Sequence, residues 1–211
     1  MKKDSTFEGS YGSELENQLE REVQLLLEQK DQLKTALNKW SNAKFLLVYA
    51  YNQLNCSEQR WTELMNLDIR NPEKVILATE VRNNLVASNQ NLKNTKMYLK
   101  NVNLPYCTDE DLNSLQALAA GIYQDMLSVD RQRYCLNIMQ VLRKRIAALN
   151  QWFEQVITNT LVVDYNKIKD SYDKKSKELK RERVRLFTEK IKEKTGKDVN
   201  INLFGNLKLK K

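Results

Sequence analysis

Twenty-seven carboxylates, three thiols and no histidine are the groups with which this chain could do chemistry. Without histidine there is no Ser-His-Asp or Cys-His nucleophile pair, no zincin helix and no Cys/His zinc finger. Cys56, Cys107 and Cys135 stand at least 28 residues apart, which is not metal-type spacing, so they are expected as reduced, buried or half-buried thiols. Five glycines, at positions 9, 12, 121, 196 and 205, cannot assemble a phosphate-binding loop. The acid pairs Asp109/Asp111 and Asp170/Asp173 suit helix caps and solvated faces better than proton transfer, which needs a cleft and shifted pKa values. The expectation is a protein that is not an enzyme and uses no cofactor, metal or small-molecule substrate.

What remains is the chemistry of binding. Net charge is +8. Residues 166–211 hold 16 basic and 7 acidic side chains, and the rest of the chain holds 19 and 20. The positive character therefore belongs to the C-terminal quarter, in the run Lys174, Lys175, Lys177, Lys180, Arg181, Arg183 and Arg185. Its acids are interleaved at helical spacing, as on a salt-bridged, solvated helix. The same run is a candidate contact for a polyanionic partner: an acidic filament surface, anionic lipid or nucleic acid. A basic-zipper DNA reader places its basic region before the zipper, and here the order is reversed. Aromatics are too sparse around it for a single-strand stacking platform. Trp40 and Trp61 are candidate partner anchors, because aromatics concentrate at interface centres. Packing between helices is the plainer reading of both, as it is of Trp152. The apolar tail from Val199 to Lys211, with Phe204, reads as a fold-back segment or a docking peptide.

These surfaces need helices to carry them. Leu19, Leu26, Leu33, Trp40, Leu47, Leu54 and Trp61 repeat every seven residues, and Leu15, Ala36, Ala43 and Ala50 add a second, small-residue row. Such a ladder keeps one narrow stripe on a helix and demands a second helix to bury it. Ser13 is positioned to cap that helix, which meets no Gly or Pro before Arg70. Asn71-Pro72-Glu73 signals a new start. The second helix is expected over 72–103, with the stripe Ala78, Val81, Leu85, Ser88, Leu92, Thr95, Leu99 and Val102, widened by Val75, Ile76, Leu77, Val86 and Met97. Leu104-Pro105-Tyr106-Cys107 is a turn, and Thr108 with Asp111 resembles a capping box. A third helix then runs to Thr195, with a phase shift in its stripe near Arg133 to Cys135.

The predicted fold class is all-α: an elongated antiparallel helical bundle or coiled coil of three long helices. The alternative is one long two-arm hairpin in which Pro72 only kinks the first arm. The predicted organisation is a flexible leader (1–12), the bundle (13–165), a basic helical extension (166–195) and a C-terminal tail or docking peptide (196–211). A short second helix cannot cover the whole stripe of the other two, so partner helices, from a second copy or another coiled-coil chain, are the natural cover. The functional expectation is a non-enzymatic coiled-coil scaffolding subunit of an assembly, of cytoskeletal or chromosome-associated type, that pairs through its helices and meets an acidic partner through the basic helix. A membrane-surface module or a nucleic-acid-binding helical protein is the alternative. The longest apolar run, Phe45 to Tyr51, is too short to span a bilayer, and the N-terminus lacks the apolar core of a signal peptide, so the cytosol or nucleus is expected.

Overall fold

The computed structural model describes residues 12–196 and the backbone of 199–201 and 207–209. The described residues form helices joined by short turns, with one small pair of strands. Helix α1 is Glu14–Met65, α2 Glu73–Tyr98, α3 Asp109–Asp125, α4 Val129–Val156 and α5 Val162–Thr195. A π-helical turn, Ile157–Leu161, joins α4 to α5, so helical residues run unbroken from 129 to 195 and the helices number four when that stretch counts as one. Strands β1 (Val199–Ile201) and β2 (Leu207–Leu209) pair antiparallel, with Asn200 opposite Lys208. No described helix is long and apolar enough to cross a membrane.

The chain folds as two compact units, one formed by Thr35–Val162 and the other by Met1–Lys34 with Val163–Lys211. In the first, the latter half of α1 packs with α2, α3 and α4 around a single core. The seven-residue ladder supplies it: Leu47, Leu54 and Trp61 are fully buried, as are Ala43 and Ala50 of the small-residue row.

The seam between α1 and α2 has a strict antiparallel register. Ser57 Oγ lies 3.5 Å from the Val81 carbonyl, Ser88 Oγ donates to the Ala50 carbonyl at 2.9 Å, and Thr95 Oγ1 donates to the Ala43 carbonyl at 3.3 Å. Each step moves seven residues back along α1 and seven forward along α2. Small side chains at 43, 50 and 57 let the backbones approach closely enough for these hydroxyls to reach across. Ser88 and Thr95 look like weak points in an apolar stripe, yet they are buried and hydrogen-bonded. The chain therefore reverses at Pro72 and is not merely kinked there. Asn71 Oδ1 accepts from the Glu73 amide at 2.9 Å, satisfying one of the free donors at the start of α2.

Two expectations change. Helix α2 ends at Tyr98, short of 103, and of the five residues expected to widen its apolar face only Leu77 is buried. The third helix is interrupted: the chain turns at Met126–Ser128, where Ser128 is extended (φ −125°, ψ 129°). The turn closes through side chains. Gln132 Nε2 donates to the Met126 carbonyl at 2.6 Å, and Arg131 Nε donates to Asp125 at 2.8 Å. The added antiparallel element, α3, covers core that a three-helix arrangement would leave open. Its start is the expected capping box, with Thr108 and Asp111 exchanging side-chain-to-backbone bonds.

Candidate functional site

In the unit built from the first part of α1 and from α5, the facing surfaces are only partly apolar. Leu19 and Leu179 are its buried apolar side chains among the described residues. Between them lie charged pairs. Lys175 Nζ contacts Glu22 at 2.8 Å and Glu178 at 3.3 Å. Arg183 bridges Glu16 at 3.0 Å and Glu20 at 2.8 Å. Lys30 Nζ sits 3.8 Å from the centre of the Tyr172 ring. Ser13 Oγ accepts from the Glu16 amide at 3.0 Å, capping α1 as expected, and donates to Glu182 at 2.7 Å.

Electrostatics follow from these contacts. The Arg185 guanidinium, with help from Ser13, holds the Glu182 carboxyl down at about 2. Lys175, then Gln18, lowers that of Glu22. Arg185 also reaches Glu189 at 2.6 Å. The acidic side chains of the first turns of α1 thus consume part of the basic charge of α5, a pairing that the excess of acids over residues 14–31 foreshadows.

The seven basic residues singled out in the sequence therefore divide. Lys175, Arg183 and Arg185 are engaged within the chain. Lys174, Lys177, Lys180 and Arg181 are exposed and have no ion pair among the described residues. Lys167 belongs with them and is likewise exposed. With Leu179 marking the inward side, 100° per residue places Lys167, Lys174, Lys177 and Arg181 on the opposite, outward side, with Lys180 flanking. From Lys167 to Arg181 the row spans about 21 Å. Asp170 sits within the row and Asp173 beside it. Tyr165 and Tyr172 fall on the inward side and are half-buried.

The tryptophans separate too. Trp61 is 0% exposed, and its Nε1 donates to the Gln132 carbonyl at 2.9 Å. It is a core residue joining α1 to α4, which agrees with the packing reading and corrects its candidacy as a partner anchor. Trp40 is half-buried, with ring centroids 5.5 Å from Trp152 and 5.0 Å from Phe153, so it closes one end of the same core. Phe204 lies outside the described residues. No group of three or more described Cys, Asp or Glu side chains is arranged to hold a metal ion. Burial pushes the Cys107 thiol up to about 11, and burial with a hydrogen bond to Asp125 pushes Cys135 up to about 12. Neither is a thiolate nucleophile at neutral pH.

No protein-family model, curated protein or solved structure matches this chain.

Proposed function

We propose that this protein is a non-enzymatic scaffolding subunit whose antiparallel helices provide a rigid carrier and whose outward basic row on α5 docks an acidic protein surface. The observation that carries this is the division of charge on α5. Three cations are spent on the chain's own acids, while Lys167, Lys174, Lys177 and Arg181 form an outward row with no partner in the chain among the described residues.

The texture of the row favours a protein over a polyphosphate. Asp170 within it would repel a continuous line of phosphates, whereas a protein partner can place a cation opposite it. A stacking mode for single-stranded nucleic acid lacks its platform, because Tyr165 and Tyr172 are on the inward side. Exposed cations at these spacings steer encounter more than they add affinity, so the contact is expected to be salt-sensitive.

The test is binding of the full chain at low salt to an immobilised Glu-rich Glu/Lys copolymer, to duplex DNA and to phosphatidylserine vesicles, with and without Lys167, Lys174, Lys177 and Arg181 changed to Gln. The proposal requires copolymer binding that weakens with salt and is lost in the fourfold variant. Binding to DNA or vesicles in preference to the copolymer would transfer the row to those partners. Binding to none, or binding indifferent to the substitutions, would remove it.

A further inference from the structure

The outer face of α1 in the Thr35–Val162 unit is unlike an ordinary solvated helix surface. From Phe45 to Ser57 the helix has no charged residue, in a chain in which 29% of residues are charged. Its inward side is the buried core row. Its outward side presents Phe45 at 66% exposure, Tyr49 at 59% and Val48 at 39%, followed by Asn52 and Cys56. A helix that is apolar on both sides is ordinarily covered on both sides. Beside Phe45, between α1 and α2, a shallow groove of about 720 Å³ is lined by Leu46, Asn42, Asn94, Met97 and Tyr98, with Lys100 at its edge and Met97 62% exposed. Helix α3 also has an uncharged stretch, but its exposed positions are Asn113, Gln116, Ala117, Ala120 and Gln124, and its Tyr123 hydroxyl is already bonded to Thr79. Among the described helices, α1 combines absence of charge with large exposed apolar side chains and an adjoining groove. Aromatics and Met surrounded by amides are the composition of an interface core.

We infer that this face pairs with a second copy of itself, α1 against α1 in antiparallel orientation about a two-fold axis between Tyr49 and Asn52. Charge selects both partner and direction. At the Phe45 end stand Lys39 and Lys100, exposed and without an ion pair among the described residues. At the far end Glu63 and Glu80 share the single guanidinium of Arg60, at 2.7 Å and 3.0 Å, so that this cluster carries one net negative charge. Antiparallel pairing sets the basic end of each copy beside the acidic end of the other, twice. Parallel pairing would oppose like charges. The middle, from Phe45 to Cys56, carries no charge and meets its own copy without repulsion. A self-complementary patch of this kind closes at two copies. About that axis Tyr49 of each copy packs across Asn52 of the other and Phe45 across its Cys56, as aromatic anchors do.

The inference is separate from the basic row of α5, and neither depends on the other. Sedimentation equilibrium of the full chain is expected to return twice the 24.8 kDa chain mass. Phe45→Glu with Tyr49→Glu is expected to return the single mass with unchanged far-ultraviolet circular dichroism, since both side chains are more than half exposed. Lys39→Glu with Lys100→Glu supplies a second variant that removes no apolar side chain, and it should raise the dimer dissociation constant about tenfold at low salt. A wild-type chain that stays monomeric at about 50 μM, weaker than the affinities of specific pairing, overturns the inference. So does a dimer whose mass and dissociation constant are indifferent to both variants.

Discussion

Three thiols in one chain meet three different fates, and reactivity follows surroundings. Cys56 is exposed on α1. Cys107 is buried within the α2–α3 connection, and Cys135 is fully buried with its Sγ donating to Asp125 Oδ2 at 3.1 Å. Because burial holds the latter two at about 11 and about 12, they stay protonated at neutral pH. A disulfide-exchange reagent added to native protein at pH 7.5 should therefore titrate one thiol per chain, and three in denaturant. Cys56→Ser should abolish the fast phase. Rapid reaction of Cys107 or Cys135 in the native state would mean that the core around α3 opens freely. The tryptophans carry the same lesson. Trp40 and Trp61 occupy equivalent rungs of one ladder, and the sequence offers no means of telling them apart. Trp61 is fully buried because Gln132, 71 residues later, returns its carbonyl to the indole.

At the scale of elements, the α1–α2 seam shows what small residues do. Ala43 and Ala50 are fully buried, and their carbonyls are reached by the hydroxyls of Thr95 and Ser88. A larger side chain at 50 must push the two backbones apart and break both the packing and the hydroxyl bond. Ala50→Leu should lower unfolding free energy in urea by about 1–3 kcal/mol, although it adds apolar bulk. Ser88→Ala, which removes one bond and leaves the spacing intact, should cost only about 0.5–1.5 kcal/mol. A stabilising Ala50→Leu would contradict the close approach. The spacing of this seam was legible in advance, since Ala43, Ala50, Val81, Ser88 and Thr95 recur at sevens, but the sequence left open whether Pro72 reverses the chain or only kinks it. The break between α3 and α4 was not. Leu127-Ser128 contains neither Gly nor Pro, and the turn is held by Gln132 and Arg131 acting on the preceding helix. Only the phase shift of the apolar stripe a few residues later betrayed it. On the candidate site, the sequence placed the basic run on a helix. It could not show which cations α1 would neutralise, because Glu16, Glu20 and Glu22 lie about 160 residues from their partners.

At the scale of the whole molecule, the two units differ in what holds them. The Thr35–Val162 unit has a dry core with Leu47, Leu54, Trp61, Leu85, Ile122, Leu149 and Phe153 each at 2% exposure or less. Each such leucine contributes about 1.5–3 kcal/mol. The other unit relies on Leu19, Leu179 and exposed ion pairs, which contribute about 0–1 kcal/mol apiece. Amide hydrogen exchange should therefore be slow over 43–64, 77–92 and 135–153, and faster by orders of magnitude over 14–34 and 163–195. Acid should widen the gap. Glu182, whose ordinary value is 4.5, is held at about 2 by Arg185 and Ser13, and Glu22 is lowered by Lys175. A carboxyl with a depressed folded-state pKa adds stability that is complete above its unfolded value and disappears as pH falls through the folded one. Protection over 163–195 should accordingly decline as pH is taken from about 4.5 to about 2, while Glu182→Gln, which keeps a hydrogen-bonding side chain but cannot titrate, should flatten the Glu182 share of that decline. Equal protection of the two units at pH 7, or acid sensitivity unaltered in Glu182→Gln, would show that the charged seam is not what holds α5 against α1.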